Sequence, residues 1–403
     1  MKHSTLTRRQ ALRLGASALV SAGAMGGVAA QATATIAGQN AQPSAGATDA
    51  AAGYSPKPTV VAKGLVHPWA LAFLPNGRFL VTERPGRMRI VEADGRLGAP
   101  LPGLPPVVAE GQGGLLDLVL DPGFANNQWV YWSYSEASDD QNGSGTSVAR
   151  ARLQGGPGAE RLADVQVIFR QTPKVNSKLH FGSRLAFGPD GRLFIGLGER
   201  YTRKDDAQTL DNTMGKIVRI EPDGRVPADN PFVNRPGARP EIYSFGHRNI
   251  QGMAVHPVTG ELWAVEHGPQ GGDELNLVQA GRNHGWPVIT HGRNYGTGTK
   301  IGEGTERADV VPAITFWVPT SIAPSGMAFV TSDRYPGWRG SLVVGALRAQ
   351  VLLRLTLDGP KVQREQRLLQ SLNERIRDVR QGPDGLLYLL SDNADGRIIR
   401  LVP

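Results

Sequence analysis

A few short stretches hold residue types that could do chemistry together. His180 stands in Leu179-His180-Phe181-Gly182-Ser183-Arg184, just before an apolar, strand-like run. A neutral imidazole there could serve as a general base, because its ordinary pKa lies near working pH. A histidine simply packed in a loop is the competing reading. His247-Arg248-Asn249 closes one segment, and Glu266-His267-Gly268-Pro269 closes the strand pair that follows. A Gly-Pro pair leaves two carbonyls uncrowded by side chains, which suits a hard cation such as calcium, although a plain turn has the same signature. Asp273 and Glu274 add carboxylates close by, and Asn283-His284-Gly285-Trp286 follows. Arg375 and Arg377 alternate along a strand and so share a face. Such a pair suits a polycarboxylate, each guanidinium gripping one carboxylate through two N–H bonds. Two solvated arginines on an edge strand are the plainer alternative.

Composition narrows that chemistry. The 403 residues contain no cysteine, which excludes disulfides, thiolate zinc sites, iron–sulfur clusters and covalent c-type haem. Redox work would need a non-covalent organic cofactor, or a metal held by oxygen and nitrogen. No glycine-rich G-x-G-x-x-G follows a strand and opens a helix, so a nicotinamide cofactor is unsupported, and no paired-histidine zinc pattern is present. The net charge is +8, of which Lys2, Arg8, Arg9 and Arg13 in the acid-free first 32 residues supply four, leaving +4. The remaining arginines are scattered rather than clustered, which gives no nucleic-acid footprint.

The elements that must position these residues repeat. A short apolar strand, a turn of Pro, Asn, Asp or Gly, and a second apolar strand recur six times, starting at Pro68, Gly113, Gly182, Gln251, Ala323 and Ile376. The clearest copies are PWALAFLPNGRFLVTER, GSRLAFGPDGRLFIGLGER and IRDVRQGPDGLLYLLSDN. Spacings of about 45 to 75 residues suit propeller blades with loop insertions. One such sheet cannot bury both faces, but six arranged radially can. The expected fold is therefore all-β, a six-bladed β-propeller of four-stranded antiparallel blades over 57–403. Thr59–Val61 is expected to pair with Arg397–Val402 and close the ring. A sandwich or two smaller barrels would not explain six near-equivalent copies. In a propeller, ligands gather at one mouth of the central channel, so polar residues flanking the repeat strands are the candidates.

Before the repeats, Thr7-Arg8-Arg9-Gln10-Ala11-Leu12-Arg13 precedes a weakly hydrophobic stretch and a small-residue cleavage site at Ala30-Gln31-Ala32. This makes 1–32 a twin-arginine export signal, with an ordinary Sec leader as the alternative. The apolar stretch is shorter than the ~20 residues a membrane span needs, so no stable membrane insertion is expected after its removal. Residues 33–56 read as a disordered tether, and the expected location is the periplasm.

At this point the residues match a family. From about Gly64 to the C-terminus the chain resembles the soluble periplasmic aldose dehydrogenases of the glucose/sorbosone type, which use pyrroloquinoline quinone (PQQ). The resemblance rests on Gly111-Gln112-Gly113-Gly114-Leu115, His180 through Arg184, and Gly246-His247-Arg248-Asn249 with Gln251-Gly252. Glu266-His267-Gly268-Pro269 with Asp273-Glu274, and Ile376-Arg377-Asp378-Val379 followed by Pro383-Asp384-Gly385, complete it. It implies that His180 takes the proton of the sugar's anomeric hydroxyl while a hydride passes to the quinone, giving the lactone. Gln112 would sit at the sugar and cofactor site, Arg248 beside the reactive carbonyl, and Asn249 against the cofactor. The carbonyls of Gly268 and Pro269 would hold a catalytic calcium, Arg375 and Arg377 the cofactor's carboxylates, and Glu274 with the backbone of His284 a second, structural calcium. Glu199 departs from the Asp that glucose dehydrogenases of the family carry near the base. Arg348 replaces a cofactor-contacting Lys, keeping the charge and changing the geometry. An aldose substrate and a separate electron acceptor are the implied partners. A calcium-dependent propeller lactonase and a non-catalytic carbohydrate-binding propeller are the alternatives. The lactonase predicts acidic and Asn ligands converging on the channel, with no need for Arg248, Arg375 and Arg377.

Overall fold

The computed structural model describes residues 54–403. The export signal expected over 1–32, and the tether as far as residue 53, lie outside them. Tyr54, at the end of the expected tether, packs edge-on against Trp338 with ring centroids 6.1 Å apart.

Six four-stranded antiparallel sheets make up the fold. Their first strands are Pro68–Phe73, Leu115–Leu120, Gly182–Phe187, Ile250–Val255, Pro324–Phe329 and Ile376–Gln381. Each of these packs against the next, and the last returns to the first. They are the inner strands of a six-bladed propeller, and each corresponds to one sequence repeat. Within the repeats the turns do what their residues dictate. At Gly188-Pro189-Asp190-Gly191-Arg192, Asp190 accepts from the Arg192 amide at 3.1 Å, and Gly191 takes the left-handed conformation at φ 76°. Gly382-Pro383-Asp384-Gly385-Leu386 repeats both features, as expected where Pro and Asp open a tight reversal and Gly completes it.

Second strands such as Leu193–Leu197 and Leu387–Ser391 are buried throughout, because a blade is covered on both faces by its neighbours. Six apolar clusters fill the gaps, each between two consecutive blades. Trp132, Trp263 and Trp338 are among the largest wholly buried side chains. The ring is closed by the N-terminal strand Lys57–Leu65, which pairs antiparallel with the C-terminal strand Gly396–Val402, Thr59 opposite Arg400 and Val60 opposite Ile399. Among the described residues no helix is long and apolar enough to cross a membrane.

Candidate active site

Parallel orientation of the inner strands brings their N-terminal ends to one mouth of the channel. A cavity of about 560 Å³ opens there, lined from the six blades by His67, Gln112, Gly182, Asn249, Ala323 and Arg375, among others. That size falls in the ~300–1,000 Å³ range of small-molecule pockets.

His180 is buried beside this cavity, on a backbone in the left-handed region at φ 51°. Its amide donates to Oε1 of Gln112 at 2.8 Å, tying His180 to a lining residue. Its Nδ1 lies 2.7 Å from Oε2 of Glu199. An ionised carboxylate only accepts, so Nδ1 carries the hydrogen and Nε2 keeps its lone pair. Nε2 has no hydrogen-bond partner among the described residues. Burial pushes the imidazole below its ordinary pKa; the Glu199 bond offsets part of this, and the Arg248 charge lowers it again. The extra methylene of Glu199 thus does not prevent it from reaching the His180 imidazole.

Arg248 follows His247 at the end of the third blade. Its amide donates to Glu266 at 2.6 Å, and Nη1 donates to the carbonyls of His267 and Gly268 at 2.9 and 2.6 Å. The guanidinium lies 5.2 Å from the Trp286 ring centre, and its buried Nε has no partner. Gly268 is held in turn by Asp273, which accepts its amide at 2.9 Å and also binds Ser321, Ile322 and Ala323. The Pro269 carbonyl accepts no hydrogen bond among the described residues. Asn249 lines the cavity and accepts from the Gly182 amide at 3.0 Å. His267, also in the lining, is pushed down to about 3 by burial and by the charges of Arg248 and Arg377.

Arg375 and Arg377 both line the cavity. Between them stands Asp392, 2.8 Å from Nη2 of Arg377 and 3.4 Å from Nη2 of Arg375, with Nδ1 of His67 at 3.0 Å. Burial alone would raise the Asp392 carboxyl, but Arg377, His67 and Arg375 hold it well below the usual range. The Arg377 Nη1 donates to Gln251 at 3.0 Å, while its buried Nε is unpaired.

A propeller with this mouth can be compared with known proteins. The profile of the glucose/sorbosone dehydrogenase family matches residues 65–400. The chain is 46% identical over 342 residues to the aldose sugar dehydrogenase YliI of Escherichia coli, covering 84% of this chain and 91% of that protein. The chain belongs to the glucose/sorbosone dehydrogenase family. It is also 28% identical to quinoprotein glucose dehydrogenase B of Acinetobacter calcoaceticus, over 83% of this chain and 85% of that one. The solved PQQ-bound aldose sugar dehydrogenase of Streptomyces coelicolor superposes with a TM-score of 0.69 at 32% identity, covering 87% of this chain and 99% of that one. Membership makes the protein an oxidoreductase of sugar-dehydrogenase type.

Other residues expected of this dehydrogenase family lie farther from the cavity. Glu274 and Glu266 face each other across neighbouring strands, an arrangement in which like charges repel. Burial, with Glu266 and Asp273 nearby, pushes the Glu274 carboxyl well above its usual range. His284 stacks on His247 with centroids 4.6 Å apart, and burial with His247 and Arg282 drives its imidazole well below the ordinary value. Nδ1 of His284 and Oδ1 of Asn276 are buried without partners. Arg348 is exposed and is not among the residues lining the cavity.

The sequence pattern had assigned no role to the network that plugs the channel beneath the cavity. Arg184 Nη1 reaches Asp378 at 2.8 Å and Asp117 at 3.2 Å, and Arg380 reaches the same two carboxylates at 2.8 and 2.7 Å. Arg184 also lies 4.1 Å from the centre of the Trp69 ring, which lines the cavity. Two acids therefore do converge on the channel, as a lactonase would require, but two arginines neutralise them. Among the described residues no three His, Cys, Asp or Glu side chains form a metal-binding group.

Proposed function

We propose that the protein is an exported quinoprotein that oxidises the C1 hydroxyl of aldose sugars to the lactone. The observation that carries this is the buried His180–Glu199 dyad, its Nε2 free, beside a cavity walled by arginines. The residues fit an anionic cofactor and a cation. Arg248 and Arg377 each have a buried Nε–H without a partner, and a buried donor left unpaired costs about 1–3 kcal/mol. Arg375, Arg377 and Asn249 would hold PQQ. The carbonyls of Gly268 and Pro269 would hold the catalytic calcium. Glu274 and the His284 backbone would hold a structural one, where unpaired Asn276 Oδ1 and two facing carboxylates favour a cation.

When bound, PQQ supplies the two-electron acceptor for the hydride leaving C1, and calcium the Lewis acidity that makes it more electrophilic. His180 Nε2 takes the proton of the anomeric hydroxyl, and Glu199 stabilises the imidazolium that forms. Gln112 fixes the backbone of the base and reaches the sugar. The Arg248 guanidinium faces the negative charge that develops in the transition state. A separate electron acceptor is required, since a chain without cysteine has no covalent haem or iron–sulfur cluster of its own. Export from the twin-arginine signal in 1–32, with a tether ending before Tyr54, gives a periplasmic enzyme.

The test is dye reduction by the cofactor-free protein after adding PQQ and calcium, with a panel of aldoses. Sugar-dependent reduction that needs both additions is expected, and His180→Ala should remove it while cofactor binding persists. No reduction by folded protein that binds calcium would overturn the assignment. Because its pKa is depressed, His180 is a competent base below the ordinary imidazole range. The acid limb of kcat/KM should accordingly fall below about pH 6.5.

A further inference from the structure

The Tyr201 ring touches His180 and takes no part in the hydrogen bonds of the dyad. Its ring meets the His180 imidazole at 84°, centroids 5.3 Å apart. It is 48% exposed, whereas Trp69 and Phe181 in the cavity wall are each 3% exposed.

The backbone that presents it is strained. Arg200 and Tyr201 sit consecutively in the left-handed region, at φ 62° and 64°. Non-glycine residues rarely adopt this conformation and keep it only where the surroundings over-determine it. Here they do. The buried Arg200 guanidinium donates to the carbonyls of Leu179 at 3.0 Å, Ser144 at 2.5 Å, and Ser177, and it lies 3.7 Å from the centre of the Phe181 ring. The Tyr201 amide donates to Oε2 of Glu199 at 2.6 Å, the same oxygen that holds His180. One carboxylate oxygen thus fixes both the base and the segment carrying the ring.

Two rings at right angles make a corner, one wall bearing the base and the other apolar. A pyranose has matching chemistry, with ring C–H groups on its faces and hydroxyls at its rim. A tyrosine offers a flat apolar face while its hydroxyl stays wet. We propose that Tyr201 is a substrate-binding residue, on which the C–H face of an aldopyranose rests while its anomeric hydroxyl meets His180. This rests on the aldose-oxidation reading and names the contact that would set its sugar preference.

The experiment compares wild type, Tyr201→Ala and Tyr201→Phe with saturating PQQ and calcium. Tyr201→Ala should raise KM for the best aldose about tenfold, with kcat and its pH profile essentially retained. Tyr201→Phe, which keeps the ring, should restore most of that loss. A fall in kcat with a displaced pH profile and unchanged KM would mean that Tyr201 only buttresses the imidazole, and would overturn the proposal. So would an unchanged KM in both variants. Calorimetric binding of the unreactive lactone to cofactor-free protein gives an independent readout, expected to weaken in Tyr201→Ala alone. If wild type oxidises no aldose, the functional reading fails by itself, and unweakened lactone binding to Tyr201→Ala would then sink this inference separately.

Discussion

At the scale of single residues, the site is built from carboxylates that hold other side chains in place. Glu199 fixes the tautomer of His180, Glu266 receives His247 at 2.9 Å, and Asp392 receives His67 together with two arginines. Asp392 gives a test that needs no cofactor. Its folded-state pKa is depressed by those partners, so as pH falls the unfolded chain takes up the proton first. Stability from this group is therefore present at neutral pH and declines as pH drops through and below about 4, the ordinary Asp value. Asp392→Asn should melt lower than wild type at pH 7, and the gap should narrow steadily toward pH 3. A gap independent of pH would mean that the carboxylate is not charge-paired as described. The arginines flanking Asp392 were readable from their alternate spacing. Asp392 was not, because nothing local in Ser391-Asp392-Asn393 says which distant side chains will reach it.

The elements supply that missing signal. Second strands of four blades end in, or are closely followed by, a buried or half-buried acid: Glu83, Asp392, Glu266 and, one residue beyond Gly198, Glu199. Each reaches back to the segment that enters an inner strand. Glu83 accepts the Val66 amide at 2.6 Å, and Glu266 accepts that of Arg248. The recurrence stands in the repeats themselves, which carry Glu83, Glu199 and Asp392 near their ends, but a hairpin pattern does not say which distant segment each acid will reach. The blades themselves were legible because strand, turn and strand are local patterns. The Arg184–Asp117–Asp378–Arg380 plug was hidden, since three different blades supply it and only ring closure brings them together.

Close approach between elements makes a further prediction at this scale. A Cβ on Gly198 would fall inside the envelope of the His180 carbonyl oxygen, so His180 and Glu199 can meet only across a glycine. Gly198→Ala should destabilise the fold by about 1–3 kcal/mol in denaturant titration, the usual cost of overpacking. Displacing the dyad should lower kcat roughly 100-fold. A variant with wild-type kcat would show that the site tolerates a shift of its base.

For the whole molecule, the site depends on a ring whose two chain ends meet in one blade. Every inner strand contributes to the mouth, so opening the ring anywhere should loosen residues from all six blades. One junction lacks covalent continuity, Lys57–Leu65 against Gly396–Val402. That strand is mostly exposed, burying Ala62 and Leu65 only, so its contribution comes chiefly from the backbone ladder it adds. Removing residues 57–65 would uncover the amides and carbonyls of Gly396–Val402, a long edge in which Ile398, Ile399 and Leu401 are buried. Each lost ladder bond is worth about 0.5–1.5 kcal/mol, and an exposed apolar edge invites pairing with another chain. A chain starting at Val66 should therefore melt well below one starting at Tyr54, and light scattering should detect association at concentrations where the longer chain stays dispersed. Asp392 and Arg377 sit in the blade that is opened, so the cavity they line should loosen along with the fold. Arg184 offers the complementary experiment, since it ties blades two, three and six together from inside the channel. Arg184→Ala would leave Asp117 and Asp378 with one guanidinium between them, a loss of about 3–5 kcal/mol for a broken buried pair. If the truncated chain keeps its melting point while Arg184→Ala collapses, the central plug rather than the terminal strand is what holds the propeller closed.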